Sequence, residues 1–214
     1  MTDAVPQKDL VLLLADDQMK FAVQGILSRG SALGFRDVSF DGHVHPDKDP
    51  GCLLRAHDFL RPFHRQYRHA IVLFDREGCG RNSSAIELEY EVEGRLSAAG
   101  WDTRAAAIVL DPELEIWVWN DSPQVDVALG WAGRTPSLRQ WLRSEAYIVG
   151  DAVKPNRPKE AMENALRLVR KAKSSSTFLE LAKHVSLARC SDRAFLKFKT
   201  TLQQWCGRES KRQQ

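Results

Sequence analysis

Acidic residues that directly follow apolar runs carry the clearest chemical signal in this chain. Asp75 and Glu77 follow the apolar run 70–74, and Asp16 follows the run 10–15. Such runs are typical of strands buried on both faces of a parallel sheet. Ligands of open parallel sheets bind in the crevice beyond the carboxyl ends of the strands, so acids at these positions indicate a ligand site.

These acids suit a divalent cation. Mg²⁺ and Mn²⁺ prefer oxygen ligands, and Mg²⁺ keeps several waters, so Asp16, Asp75 and Glu77 are sufficient to hold such an ion against a phosphate. Side chains alternate along an extended backbone, so we expect Asp75 and Glu77 on the same side, with Arg76 pointing away. All three acids face one crevice if the strand before Asp16 neighbours the strand before Asp75.

Further acids extend the candidate site. Asp17 adjoins Asp16, and Glu113 and Glu115 follow a predicted strand at 105–110. Asp111-Pro112 has the pattern of a helix N-cap followed by proline at the first helical position. Both glutamates then fall in a first turn, where they either bind a second metal or only offset the helix dipole.

The rest of the first 150 residues alternates strands with helices. The predicted strands are 10–15, 37–44, 69–74 and 105–110, and the predicted helices are 18–28, 53–67 and 84–99, with a loop at 46–51. Ser84 and Glu87 form a capping box, and Gly100 provides a left-handed helix end. The alternation predicts an α/β, Rossmann-like parallel sheet with helices on both faces.

Residues 151–207 read as a helical extension packed on the 1–150 core, with a frayed tail at 208–214. Its predicted helices are 158–173, a second one beginning with a capping box at Thr177 and Glu180, and 191–206. Residues 1–150 carry 16 basic and 22 acidic side chains, whereas 151–214 carry 15 and 6. An acidic core beside a basic extension suits a nucleic-acid enzyme. The candidate nucleic-acid contacts are Lys159, Arg167, Arg170, Lys171 and Lys173.

A rival site lies at His43 and His45. An H-x-H pair at a strand end, with Asp47 and Asp49 near, is a pattern that binds Zn²⁺ in hydrolases. Two tryptophans, Trp117 and Trp119, cannot both face inward on one helix, so one is expected to contact the C-terminal helices or a partner.

Composition limits the other classes of protein. No 18-residue apolar run and no basic-then-apolar leader occurs, so we expect a soluble, cytoplasmic protein without a membrane partner. The four cysteines lack C-x-x-C spacing, which predicts reduced thiols.

The motifs in this order resemble a TOPRIM-like family of bacterial phage-defence and abortive-infection proteins, related to the TOPRIM domain of OLD-type nucleases. The resemblance rests on "LVLLLADDQ", "AIVLFDREGCG", "LDPELEIWVWND" and "KPNRPKEAMENAL". It implies a Mg²⁺-dependent nuclease in which Asp75 and Glu77 hold the metal, while Asp16 completes the shell or orients the attacking water. It covers nearly the whole chain.

Two departures from the family pattern leave an alternative open. The family's first acid is usually Glu followed by Gly, where this chain has Asp16 and Asp17, and Glu77 stands where the fold usually has Asp. A degenerate module acting as an interaction or regulatory subunit is therefore the alternative to a nuclease. No G-x-x-x-x-G-K-[ST] loop occurs, so no nucleotide cofactor is expected, and the ATPase that OLD-type nucleases carry is expected on a separate chain.

Overall fold

A single parallel sheet organises the fold. The structure is a computed structural model that describes residues 8–120, 122–185 and 190–207. Its strands are β1 (Lys8–Leu14), β2 (Phe40–Val44), β3 (Tyr67–Asp75) and β4 (Ala105–Leu110). All neighbouring strands run parallel, in the order β2-β1-β3-β4. The predicted parallel α/β architecture is therefore confirmed.

Helices connect and cover the strands. Within the described residues the helices are α1 (Asp17–Leu27), α2 (Gly30–Leu33), α3 (Lys48–Leu60), α4 (Ala85–Leu96), α5 (Glu115–Val118), α6 (Pro123–Ala128), α7 (Leu138–Ser144), α8 (Pro158–Leu168), α9 (Ser175–His184) and α10 (Arg193–Cys206). The connection from β1 to β2 and the connection from β2 to β3 run across the sheet in opposite directions. Right-handed crossovers therefore place α1 on one face and α3 on the other. No helix in these ranges is long and apolar enough to span a membrane.

The helix predicted at 84–99 begins and ends with the local signals expected from its sequence. The side chain of Ser84 accepts the N–H of Glu87, and the Glu87 carboxylate accepts the N–H of Ser84, so the capping box is present. Gly100 ends the following turn with a φ of 95°, in the left-handed region that glycine tolerates best.

The loop predicted at 46–51 is wrong, because α3 already begins at Lys48. Pro50 is tolerated in the first turn, where a backbone N–H has no helical partner to lose. Gly51 is required by its surroundings, since a Cβ there would collide with the ring of His45. The helix predicted at 53–67 ends at Leu60, and Tyr67 lies in β3.

The predicted N-cap at Asp111 is also wrong. Helix α5 begins at Glu115, and the Asp111 carboxylate instead accepts a hydrogen bond from Arg76 Nε at 2.7 Å. Because α5 ends at Val118, Trp119 lies in extended backbone, and both tryptophans are buried: Trp117 bonds Asp192 and Trp119 bonds the carbonyl of Pro158.

The C-terminal helices are shorter than predicted but pack closely on the sheet layers. Helix α8 ends at Leu168, and α9 begins at Ser175 with no side-chain cap, so the predicted capping box at 177–180 is absent. Helix α9 lies against α1 at Gly25, where an added Cβ would come 2.6 Å from Ala182 Cβ. The predicted tail at 208–214 lies outside the described residues.

Candidate functional site

The candidate site lies where the strand order reverses. The chain passes from β1 to β2 on one side of the sheet and then to β3 on the other, so a crevice opens beyond the carboxyl ends of β1 and β3. Leu14 pairs with Leu73, which brings Asp16 and Asp75 to the same edge. The condition set by the sequence, that the strand before Asp16 neighbours the strand before Asp75, is therefore met.

Asp75 is the most unusual carboxylate at this edge. Its Oδ1 is enclosed and has no hydrogen-bond partner. Burial raises the pKa of Asp75 well above its usual value, and repulsion from neighbouring carboxylates raises it further. The neighbours responsible are Asp49, Glu115, Asp16 and Glu113. An enclosed carboxylate that has no ion pair and is surrounded by like charges is stable only if something of opposite charge joins it or a proton is taken up.

Asp49 is a site residue that sequence reasoning did not place here. It lies in the first turn of α3, and its Oδ1 accepts the backbone N–H of Asp75 at 2.8 Å. Its other oxygen occupies the space that a Cβ at position 78 would need, so Gly78 allows the approach. Burial raises the pKa of Asp49, and repulsion from Asp16 adds to the rise.

Asp16 has a second, structural task. Its Oδ1 accepts the N–H of Met19 at 2.8 Å, which caps α1. One carboxylate oxygen is thus committed to the helix terminus. Asp17 is exposed and lines, with Asp16, Lys48 and Ser175, a cavity of about 430 Å³.

Glu77 does not share a strand face with Asp75. The backbone leaves the extended conformation at Arg76 (φ −62°, ψ −47°), and Glu77 begins a short 3₁₀ turn. The alternation on which the prediction relied therefore stops before Glu77. Glu77 is exposed and lies close enough to Glu113 to raise the pKa of that carboxyl.

Glu113 and Glu115 are both buried and both paired with lysines. Lys173 Nζ lies 2.5 Å from Glu115 Oε1, and Lys159 Nζ lies 3.6 Å from Glu113 Oε2. The backbone N–H of Lys159 also donates to Glu113 at 2.9 Å. Burial nevertheless raises the pKa of Glu113, with repulsion from Glu115 as the next cause.

Lys159 faces the acids from α8. Although burial lowers its pKa, the carboxylates of Glu113, Glu115 and Asp75 raise it above the usual value. Lys159 lines a cavity of about 370 Å³ together with Glu77 and Glu113. A cation at this position is suited to contacting a phosphate that approaches the acids.

The other basic residues predicted for nucleic-acid contact differ in how far they are engaged within the chain. Lys173 bridges Glu115 and Glu163, and Lys171 donates to the carbonyl of Ala128 at 2.5 Å. Arg167 is exposed and donates to Asn164, and Arg170 is exposed. Lys159 alone of these five lines the cavity beside the acids. Lys159, Arg167 and Arg170 are exposed, whereas Lys171 and Lys173 are half-buried.

The two histidines of the rival site pack on aromatic rings. The ring of His43 stacks on Phe63 with centroids 5.2 Å apart, and His45 lies 5.6 Å from Phe59. His45 Nδ1 accepts the N–H of Asp47 at 3.0 Å. Burial lowers the pKa of His45, and the charge of Arg55 lowers it further.

The side chains at the sheet edge fit a hard cation, because all of them supply oxygen ligands. The five clustered acids are Asp16, Asp49, Asp75, Glu113 and Glu115, and the Oδ1 atom of Asp75 has no hydrogen-bond partner. Within residues 8–120, 122–185 and 190–207, however, no three His, Cys, Asp or Glu side chains already have the arrangement of a metal site. The chain matches no protein-family model, no curated protein and no solved structure.

Proposed function

We propose that the chain binds Mg²⁺ or Mn²⁺ at the carboxyl edge of β1 and β3 and hydrolyses phosphodiester bonds of nucleic acid. The observation that carries this proposal is the enclosed Oδ1 of Asp75, which has no partner and is surrounded by four other carboxylates. Of these five acids, Glu113 pairs with Lys159 and Glu115 pairs with Lys173. The edge therefore keeps an excess of negative charge.

The ligands we assign are Asp75, Asp49 and Asp16. These three carboxylates repel one another and form no ion pair within 4.0 Å among the described residues, whereas Glu113 and Glu115 each pair with a lysine. A bound divalent ion would stabilise the charge that develops on a phosphate during hydrolysis.

The remaining residues serve the substrate. Lys159 binds a phosphate oxygen from the cavity it lines with Glu77, and Glu77 accepts a proton or orients a water from the exposed side. Asp49 holds the end of β3 in place through the N–H of Asp75, so the acid at that strand end is positioned before substrate arrives.

The biological setting follows from the resemblance to TOPRIM-like phage-defence proteins. We place the activity in a bacterial antiphage system in which a separate chain supplies any ATPase. The nuclease then acts on DNA or RNA when its partner is triggered.

The test is a cleavage assay with plasmid DNA and tRNA in Mg²⁺ or Mn²⁺. Asp75→Asn and Asp49→Asn are expected to reduce cleavage by about 100-fold or more, since each removes a charged ligand. Asp37→Asn is the matched control, because Asp37 is exposed before β2, away from the carboxyl edge. Cleavage that survives Asp75→Asn would reject the assigned site.

A second function is favoured by the lysines. Lys173 and Lys159 already pair with Glu115 and Glu113, an arrangement that also suits a degenerate module that binds a protein partner without cutting. Isothermal titration with Mn²⁺ separates the two: heat of binding that Asp75→Asn abolishes supports the metal enzyme. No binding and no cleavage, with a stable protein partner on co-purification, supports the interaction subunit.

The zinc alternative at His43 and His45 has its own readout. It requires stoichiometric zinc by elemental analysis of the purified protein, lost in His43→Ala. Zinc-free protein with Mn²⁺-dependent cleavage would exclude it.

A further inference from the structure

The two edge strands of the sheet, β4 and β2, differ in whether their outward backbone groups have hydrogen-bond partners. At the β4 edge, charged side chains bond the outward backbone groups: Glu93 accepts the N–H of Ala107 at 3.0 Å, and Glu89 accepts the N–H of Val109 at 2.9 Å. Arg193 donates to the carbonyl of Val109 at 3.0 Å. This edge is closed to another strand, which is a common protection of edge strands.

The β2 edge has no such protection. His45 donates its N–H to the carbonyl of Leu14, so odd-numbered residues of β2 face β1. The N–H and C=O groups of Phe40, Gly42 and Val44 therefore point away from the sheet. Among the described residues, none of these six groups has a hydrogen-bond partner, and β2 is half-buried along its whole length.

We propose that β2 pairs with β2 of a second copy of this chain, antiparallel, about a two-fold axis at Gly42. The sequence of β2 is self-complementary in that register. Phe40 lies opposite Val44 of the second copy, an apolar pair, and Asp41 lies opposite His43, an acid opposite a base.

The register also suits the backbone. Residues 40, 42 and 44 form the hydrogen-bonded pairs of the antiparallel ladder, so all six outward groups of each copy gain partners. The Asp41 carboxylate is fixed in position within its own chain, since Lys8 Nζ donates to it at 2.7 Å and the hydroxyl of Tyr67 donates to it as well.

The pairing joins two four-stranded sheets into one sheet of eight strands. Because the β2 strands run antiparallel, the carboxyl edges of the two copies point in opposite directions. The crevice holding Asp16 and Asp75 stays open in each copy, so the pairing requires neither metal nor catalysis and is independent of the proposed function.

Gly42→Pro tests the pairing. Proline removes the outward N–H of the central residue in each copy, and an edge strand tolerates proline where the N–H faces away from the sheet. The two lost hydrogen bonds are expected to weaken dimerisation by about 10- to 100-fold. Gly42→Ala is the matched control: it keeps the N–H, and its Cβ would lie at an ordinary contact distance of 3.5 Å from Leu14 Cδ1.

The measurement is sedimentation velocity of the full chain over a range of concentrations, with circular dichroism as a check of folding. Dimeric wild type and Gly42→Ala, with folded monomeric Gly42→Pro, support the proposal. A monomeric wild type at about 100 μM, or a Gly42→Pro dimer as tight as wild type, overturns it.

Hydrogen exchange of the wild type keeps the proposal testable if Gly42→Pro does not fold. The amides of Phe40, Gly42 and Val44 are expected to exchange more slowly as the protein concentration rises from about 1 to 100 μM. Exchange at these amides that does not change with concentration would contradict the pairing.

Discussion

Asp75→Asn is expected to have two opposite effects. It should raise the stability of the metal-free protein, and it should weaken the binding of a divalent cation. Asp75, Asp49 and Glu113 all have raised pKa values in the folded protein. A carboxyl whose pKa is higher in the folded than in the unfolded state destabilises the fold at pH values above its unfolded-state pKa. Metal-free stability should therefore fall as the pH rises from about 4 towards neutrality.

In EDTA at pH 7.5, Asp75→Asn removes one of these repelling charges with little change of volume. Its melting temperature is therefore expected to exceed that of the wild type. At a pH above both pKa values, each unit by which the folded-state pKa exceeds the unfolded-state pKa lowers the free energy of unfolding by about 1.4 kcal/mol. The excess stability should disappear at pH 4, where the wild-type carboxyl is protonated as well.

Saturating Mg²⁺ or Mn²⁺ is expected to stabilise the wild type more than Asp75→Asn. A ligand at 100 times its dissociation constant stabilises the native state by about 2.7 kcal/mol. For a chain of 214 residues this corresponds to a rise in melting temperature of about 5–11 °C. If Asp75→Asn binds the ion 100-fold more weakly, about 0.4 kcal/mol remains, a rise of less than about 2 °C.

Differential scanning fluorimetry with EDTA, Mg²⁺ and Mn²⁺ measures both effects. Asp37→Asn, with an exposed carboxylate before β2, is expected to melt like the wild type in EDTA and to show the full rise with metal. The reasoning fails if Asp75→Asn is destabilised in EDTA at pH 7.5, or if metal raises its melting temperature as much as that of the wild type.

Three further outcomes follow from buried groups. Glu89→Gln should lower the free energy of unfolding in urea by about 2 kcal/mol, since Glu89 is 3% exposed and a neutral amide loses the ion pairs with Arg193 at 2.8 Å and Lys197 at 3.1 Å; an unchanged urea midpoint would contradict this role. Asp9 has a pKa held well below its usual value by its hydrogen bond from Arg36, so its stabilisation is present above about pH 4 and lost as the pH falls. Urea titrations from pH 7 to 2 should show a shallower acid loss in Asp9→Asn. Burial raises the pKa of Cys52, so iodoacetamide at pH 8 should label it only in denaturant.

The sheet was predictable because its signals are local. The runs that became β1, β3 and β4 are apolar along their whole length, as strands covered on both faces must be, and each predicted run overlaps the observed strand. The alternation of strands and helices predicted a parallel sheet but left the strand order open, and the structure supplies the adjacency of β1 and β3 that brings Asp16 and Asp75 to one edge.

Asp49 was missed because its position depends on contacts distant in sequence. Pro50 and Gly51 read as a loop by local rules, yet α3 includes both. The structure shows what overrides those rules: the ring of His45 occupies the space beside Gly51, and the carboxylate of Asp49 binds the end of β3. Neither contact has a signature in the sequence around Asp49.

The opposite charges of the two halves of the chain are partly explained by pairing inside the molecule. Lys159 and Lys173 belong to the basic C-terminal part, yet they pair with Glu113 and Glu115 of the acidic part. Composition alone assigned those lysines to a nucleic-acid surface. Their pairing divides the five acids into two that form ion pairs with lysines, Glu113 and Glu115, and three that form none within 4.0 Å among the described residues, namely Asp16, Asp49 and Asp75. A divalent ion is expected to lower the electrostatic free energy most at the acids without an ion pair, which is why we propose those three as its ligands.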